Sequence, residues 1–274
     1  IEISNLSGDV KVMAGSNREA SVEIIRHAHG RTEADARLGL ERVRMDVQIN
    51  GTRAVLKADY PNERQAPYSV SIDLIVSAPT GTRLTINSVS GDVTVSGIKG
   101  ELSAKTISGD MVLSNVGAVH EAKTASGDLK IMGASTDGTL EAGTLNGDVT
   151  LQGVKARRLT TSTVSGDIVA RDVSADTVDM NTVSGDLHFS GPVAANGRYD
   201  ITTHSGDVEF APAGGAGFAL TASSLNGEIS SALPLQSTGG RTRRQALSGK
   251  VGDGSATVTL KTFSGEITVG TKKS

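Results

Sequence analysis

Short runs of alternating apolar and polar residues fill most of this chain, and one three-residue phrase interrupts them again and again. Between Leu84 and Val269 the runs align on a glycine. Seven residues before it stand Leu84, Leu102, His120, Leu140, Leu159, Val178, Tyr199, Leu220, Thr242 and Val258. Five before it stand Ile86, Ala104, Ala122, Ala142, Thr161, Met180, Ile201, Ala222, Arg244 and Leu260; three before it, Ser or Thr recurs except at Ala246. A period of two puts these columns on one face of a strand. After the glycine, positions two and four are again apolar, as in Val93/Val95, Val149/Leu151 and Leu187/Phe189, which predicts a second strand. Two before the glycine a further apolar column runs out of phase: Val89, Ile107, Ala125, Leu145, Val164, Val183, Leu225, Leu247 and Phe263. Apolar character there reads as core, with the backbone bending to turn these side chains inward.

The interrupting phrase is Ser-Gly-Asp or a near copy, centred on Gly8, Gly91, Gly109, Gly127, Gly147, Gly166, Gly185, Gly206, Gly227, Gly249 and Gly265. From Gly91 onward its spacing stays near 20 residues, and self-similarity at such a period marks a solenoid. Glycine reaches φ > 0 at low cost, so Gly91, Gly109, Gly127, Gly147, Gly166, Gly185 and Gly206 are the expected structural turns. The predicted fold is all-β: a parallel β-helix or β-roll of about ten to eleven coils. The crossover rule favours a right-handed coil. Coils about 4.8 Å apart make a rod roughly 45 Å long. Between Gly227 and Gly254 the columns receive Ser231, Arg244 and Asp253, which predicts an irregular coil or a register shift.

Residues 1–13 read as a first, isolated rung, and residues 81–274 as the array continuous with it. Residues 14–80 read as a small α+β cap inserted between them, since a solenoid must cover its end coil. Within the cap, Ser21 to Ile25 and Tyr68 to Val76 read as strands. Thr32 is a helix N-cap with Glu33 and Asp35 behind it. Ala36, Leu40, Val43 and Val47 share a helical face, so a helix is expected over about 32–45. Asn50-Gly51 signals a hairpin turn.

Composition narrows the function classes. Lys and Arg number 27 against 30 Asp and Glu, for a net charge of −3, and no basic stripe suggests nucleic acid. Arg241-Thr242-Arg243-Arg244 reads as a solvated loop with an anion site as its alternative. The absence of cysteine excludes disulfides, thiolate metal sites and cysteine nucleophiles. No run of about 18 apolar residues exists, so no transmembrane segment is expected. The chain starts inside an apparent strand without an initiator methionine, which suggests an upstream targeting or anchoring segment.

The most conspicuous candidate chemistry is the column after the glycine: Asp92, Asp110, Asp128, Asp148, Asp167, Asp186 and Asp207, with Asp9 before them and Glu228 and Glu266 after. Its structural role would be to accept backbone N–H bonds at the corner. Its functional role would be a row of weak cation sites, since hard oxygens suit Ca²⁺. A glycosidase would need paired carboxylates in unequal environments, and near-identical repeats do not supply them. His27 and His29 share a strand face but show no third ligand; His188 points outward, and His120 and His204 read as shielded. No cofactor, catalytic triad or phosphate loop is legible.

Serial Ser-Gly-Asp-Val phrases (Ser90-Gly91-Asp92-Val93, Ser205-Gly206-Asp207-Val208), a first copy at Ser7 and an inserted cap resemble the bacterial putative-adhesin family, β-strand-repeat domains of unknown function. The likeness covers nearly the whole chain. It implies a β-solenoid displayed outside the cytoplasmic membrane, and it carries no catalytic residues to transfer. The expectation is a non-enzymatic envelope or surface module binding an unidentified protein or glycan. The alternatives are a structural element that associates end to end, with Lys272-Lys273 guarding its open edge, and a β-helical carbohydrate-active enzyme.

Overall fold

A computed structural model describes residues 1–16, 18–61, 66–237 and 245–270. Two long sheets face each other, and the chain crosses between them at every copy of the Ser-Gly-Asp phrase except the one at Gly249. One sheet takes the strands before the glycines, such as Leu84–Ser90, Ser174–Ser184 and Arg198–Ser205. The other takes the strands after them, such as Val93–Ser96, Val149–Gln152 and Leu187–Val193. Pairing within the array is parallel and places like on like. Ala142 lies between Ala122 and Thr161, and Val149 between Leu129 and Ile168.

The inward columns are fully buried: Leu102, Leu140, Leu159, Val178 and Ile201 from one sheet, Val95, Leu113, Ile131, Leu151 and Phe189 from the other. Each such side chain contributes about 1.5–3 kcal/mol on leaving water. Four aromatic rings, Phe189, Tyr199, Phe210 and Phe218, are gathered in this core. Phe189 and Phe210 stack at 5.3 Å, with Tyr199 and Phe218 edge-on to them. Burial raises the Tyr199 phenol above its ordinary pKa. Its hydroxyl accepts from Ala194 N at 2.8 Å and donates to Ala175 O at 2.9 Å.

The column two before the glycine does not turn inward. Val89, Ile107, Leu145, Val164, Val183, Leu225 and Phe263 are between 38% and 55% exposed. The reason is geometric. Inward alternation continues undisturbed through the Thr column one residue earlier, so the next residue falls on the outer face. The phase slip lies one step later, across Ser-Gly-Asp itself.

The Thr column is the buried polar seam of the rod. Thr124, Thr144, Thr163, Thr182 and Thr203 each donate Oγ1 to the carbonyl of the glycine one coil back, at 3.1–3.3 Å. Thr161, two residues earlier in the inward column, is different: its buried hydroxyl finds no hydrogen-bond partner among the described residues. Thr163→Val should therefore lose about 1–2 kcal/mol by orphaning the Gly147 carbonyl, whereas Thr161→Val should be neutral or stabilising. Chemical denaturation of the two variants side by side checks this.

The cap extends both sheets. The first rung is β1 (Glu2–Ser7) and β2 (Val10–Gly15), and the inserted segment supplies β3 (Ser21–Gly30), α1 (Glu33–Arg42), β4 (Arg44–Asn50), β5 (Arg53–Asp59) and β6 (Tyr68–Pro79). β5 joins β1 and β6 joins β2 in parallel, while β4 and β3 close the two sheets as antiparallel edges. Thr32 caps α1 in a reciprocal pair with Asp35. The helix is shorter than its periodicity suggests: Val43 ends it in extended conformation, and Val47 lies on β4. The hairpin turn is Gly51-Thr52, because Asn50 pairs with Arg53.

At the far end the chain stops stacking in sequence order. The strand Ala256–Ser264 inserts between Arg198–Ser205 and Phe218–Asn226. The phrase at Gly249 makes no corner; it lies in Ala246–Val251, antiparallel to Phe218–Asn226. Arg241 to Arg244 and Lys272-Lys273 lie outside the described residues.

Candidate functional site: two rows along one corner

Each corner is built on a glycine, and the contact between coils explains why. Gly147 and Gly166 both hold φ +143, and a Cβ on Gly166 would lie 2.0 Å from the Gly147 oxygen. At the corner, coil thus rests on coil through glycine, and the residues on either side are stacked into two parallel rows.

The first row is carboxylate. Asp92 Oδ1 accepts the Asp110 N–H at 2.9 Å, Asp110 accepts from Asp128 at 2.8 Å, and Asp128 from Asp148 at 2.9 Å. Asp148, Asp167, Asp186 and Asp207 continue the pattern to the Glu266 N–H. At the other end Asp9 serves Asp92 and is itself served by Asp73, a residue of β6 that sequence pattern does not single out. His27 Nε2 stands 3.2 Å from Asp73 Oδ2. Only the continuation of the row beyond Asp9 onto a cap strand could have revealed Asp73, and no repeat phrase marks it.

Neighbouring carboxylates about 5 Å apart repel by roughly 1 kcal/mol in water-like surroundings. Charge-assisted bonds to a backbone N–H are worth about 1.5–3 kcal/mol, enough to offset that. Among the described residues no three His, Asp or Glu side chains converge as a metal ion would require. Asp148→Ala should cost about 1–2 kcal/mol and Asp148→Asn, which keeps the acceptor, clearly less. Thermal melts should be unmoved by millimolar EDTA or Ca²⁺; a rise with Ca²⁺ would assign the row to cations.

The second row is apolar and lies on the outer face two residues before each glycine. In spatial order it runs Leu6, Val89, Ile107, Ala125, Leu145, Val164, Val183, His204, Phe263, Leu225. His204 is exposed, not shielded, and its ring stacks on Phe263 at 4.8 Å. Shallow grooves border the row, one of about 630 Å³ beside Phe263 and Leu225, another of about 440 Å³ beside Ile107 and Leu145. His120 is exposed too, because a bulge between Val119 and Glu121 puts Val119 in the inward column.

Farther out on the same face, Lys105 and Lys123 bridge Glu121 at 2.8 and 2.9 Å, and Lys123 also reaches Glu141. The Lys105 hydrogen bond, with Lys123 behind it, holds the Glu121 carboxyl below its ordinary pKa, and Glu121 raises Lys123 in turn. A depressed carboxyl stabilises above its unfolded pKa and loses that contribution as pH falls through the folded value. Exposure keeps it below about 1 kcal/mol.

Two facing sheets joined by stacked glycine corners define a parallel β-solenoid repeat protein. The chain belongs to the Toastrack DUF4097 family, which matches residues 1–270. No curated protein matches it. A solved structure described as a "putative lipid binding protein" from Parabacteroides distasonis is 14% identical, covers 98% of this chain and 91% of its own, and superposes with a TM-score of 0.55. A "putative adhesin" from Bacteroides fragilis is 13% identical, with coverages of 98% and 90% and a TM-score of 0.46. A "putative cell adhesion protein" from Clostridium sporogenes is 9% identical, with coverages of 99% and 91% and a TM-score of 0.24. At such identities the first of these speaks to the fold alone. No helix among the described residues is long and apolar enough to cross a membrane.

Proposed function

We propose that this chain is a non-enzymatic interaction module of the bacterial cell envelope, which meets a protein or glycan partner along a flat sheet face. The observation that supports this most is the outer face of the second sheet. There Lys11, Thr94, Val112, Lys130, Thr150, Val169, His188 and Glu209 stand one per strand in strict register. Small β-branched and charged side chains of this kind make a shallow, extended surface suited to an elongated partner rather than a pocket for a small molecule.

The carboxylate row supports the same reading. Acid–base work on a glycosidic bond needs two carboxyls pushed apart in character by their surroundings. Asp110, Asp128, Asp148 and Asp167 instead share one environment, each bound to the next backbone N–H. The envelope placement rests on the resemblance carried by the Ser-Gly-Asp-Val repeats.

A glycan array and a pull-down from envelope fractions, run with wild type and with Thr150→Arg/Val169→Arg, test the proposal. Binding that the double variant abolishes supports it. Hydrolysis of an arrayed glycan, or binding indifferent to the double variant, would sink it.

A further inference from the structure

Beyond that role, we propose that two copies of the chain pair side by side, in parallel, with the apolar rows in contact. The row is a straight ladder of Val, Ile and Leu on the outside of the first sheet, each between 38% and 55% exposed. It is continuous from Val89 to Val183 apart from Ala125. A contiguous apolar surface of this length on a soluble rod marks a contact site.

Spacing selects the occupant. The row repeats at the strand spacing of about 4.8 Å. An α-helix laid along it repeats every 5.4 Å and slips by about one full step over the roughly 45 Å of the rod. An extended peptide places same-face side chains nearly 7 Å apart and slips sooner. A second copy has the same repeat, so in a parallel pair every side chain of the row meets a partner side chain at the same height from end to end. Sugar rings would seek flat aromatic faces, and the row offers few: the His204 and Phe263 rings stack on one another.

Area and charge agree with this occupant. A strip about 45 Å long and about 18 Å wide covers roughly 800 Å² per copy, the size of a standard stable interface. On one flank of the row run the corner carboxylates, including Asp110 and Asp128; the other holds both signs, with Lys105 and Lys123 bridged to Glu121 and Glu141 and Lys261 farther along. A two-fold axis parallel to the rod brings each carboxylate flank over the partner's mixed-charge flank, so the two carboxylate rows stay apart. A two-fold axis across the rod would stack carboxylates on carboxylates. Parallel pairing is therefore the favourable one, and it leaves the outer face of the second sheet open for the partner proposed above.

The chain contains no cysteine, so single cysteines report the geometry cleanly. In a parallel isologous pair, residues on the axis meet their own copies all along the row. Val89→Cys and Phe263→Cys, near opposite ends, should each give disulfide-linked dimers under mild oxidation. Thr150→Cys, on the opposite sheet, should not. Light scattering at about 50 µM should show twice the 28.1 kDa chain mass. Leu145→Asp/Val164→Asp should return it to monomer with unchanged circular dichroism. A wild-type monomer at that concentration overturns the proposal. So does Val89→Cys that links only to Phe263→Cys (antiparallel pairing), or linking only through Ile49→Cys on the edge of β4 (end-to-end association). None of these outcomes bears on partner binding, which Thr150→Arg/Val169→Arg tests separately.

Discussion

Val149→Asp should lower the melting temperature by about 10 °C or more, while Val183→Asp should shift it by no more than a degree or two. Both are valines beside a corner glycine, and by sequence pattern both read as core. Val149 is fully buried between Leu129 and Ile168, with Leu151 two residues on. A carboxylate there has no partner, and burying it costs several kcal/mol. At about 2–4 °C per kcal/mol for a chain of this size, the shift is large. Val183 is 49% exposed on the single chain, so in melts at dilutions where the chain is monomeric its replacement meets water. Because each coil touches only its neighbours, hydrogen exchange in the Val149→Asp protein should rise first in Leu129–Met132 and Ile168–Arg171. Equal melting temperatures for the two variants would contradict the orientation of both columns.

Gly166→Ala should be nearly as damaging, with a loss of about 3 kcal/mol or more. Two costs coincide there. The backbone holds φ +143, where an L side chain is strained by roughly 1–3 kcal/mol. The added Cβ would also sit 2.0 Å from the Gly147 oxygen, a contact relieved only by lifting one coil off the next. Gly153 provides the control. Its φ is +61, yet nothing lies closer than 4.0 Å to an added methyl, so Gly153→Ala should cost only about 1 kcal/mol. Paired denaturant titrations measure the difference, and equal costs would show that backbone strain alone, without coil contact, fixes these glycines.

Much of the architecture was legible from residues alone. The period near 20 residues, the glycine at each corner and the inward columns around Ile86, Met180 and Leu151 all reappear as stacked, buried positions. The expected structural role of the aspartates also has its counterpart in the bonds from Asp9 to Glu266. Apolarity by itself reads as burial, and the outward direction of the row is carried by the two-residue alternation instead. β-branched residues suit either face of a strand, and only the unbroken alternation through the Thr column shows which way Val164 and Val183 point. Helix length is a similar case: Val43 and Val47 keep helical spacing, but Val47 pairs with Leu56 on β5, and that pairing overrides local periodicity.

By itself, then, the sequence determined that the chain winds at each Ser-Gly-Asp and which columns fill the interior, because both follow from local φ limits and two-residue alternation. Tertiary structure alone decided the rest. It set the entry of Ala256–Ser264 ahead of its turn in the stack, the extension of the aspartate row onto Asp73, and the gathering of Phe189, Tyr199, Phe210 and Phe218. These depend on which distant strands lie side by side, and a repeat in which every strand could pair with every other leaves that choice to the packing of the whole rod.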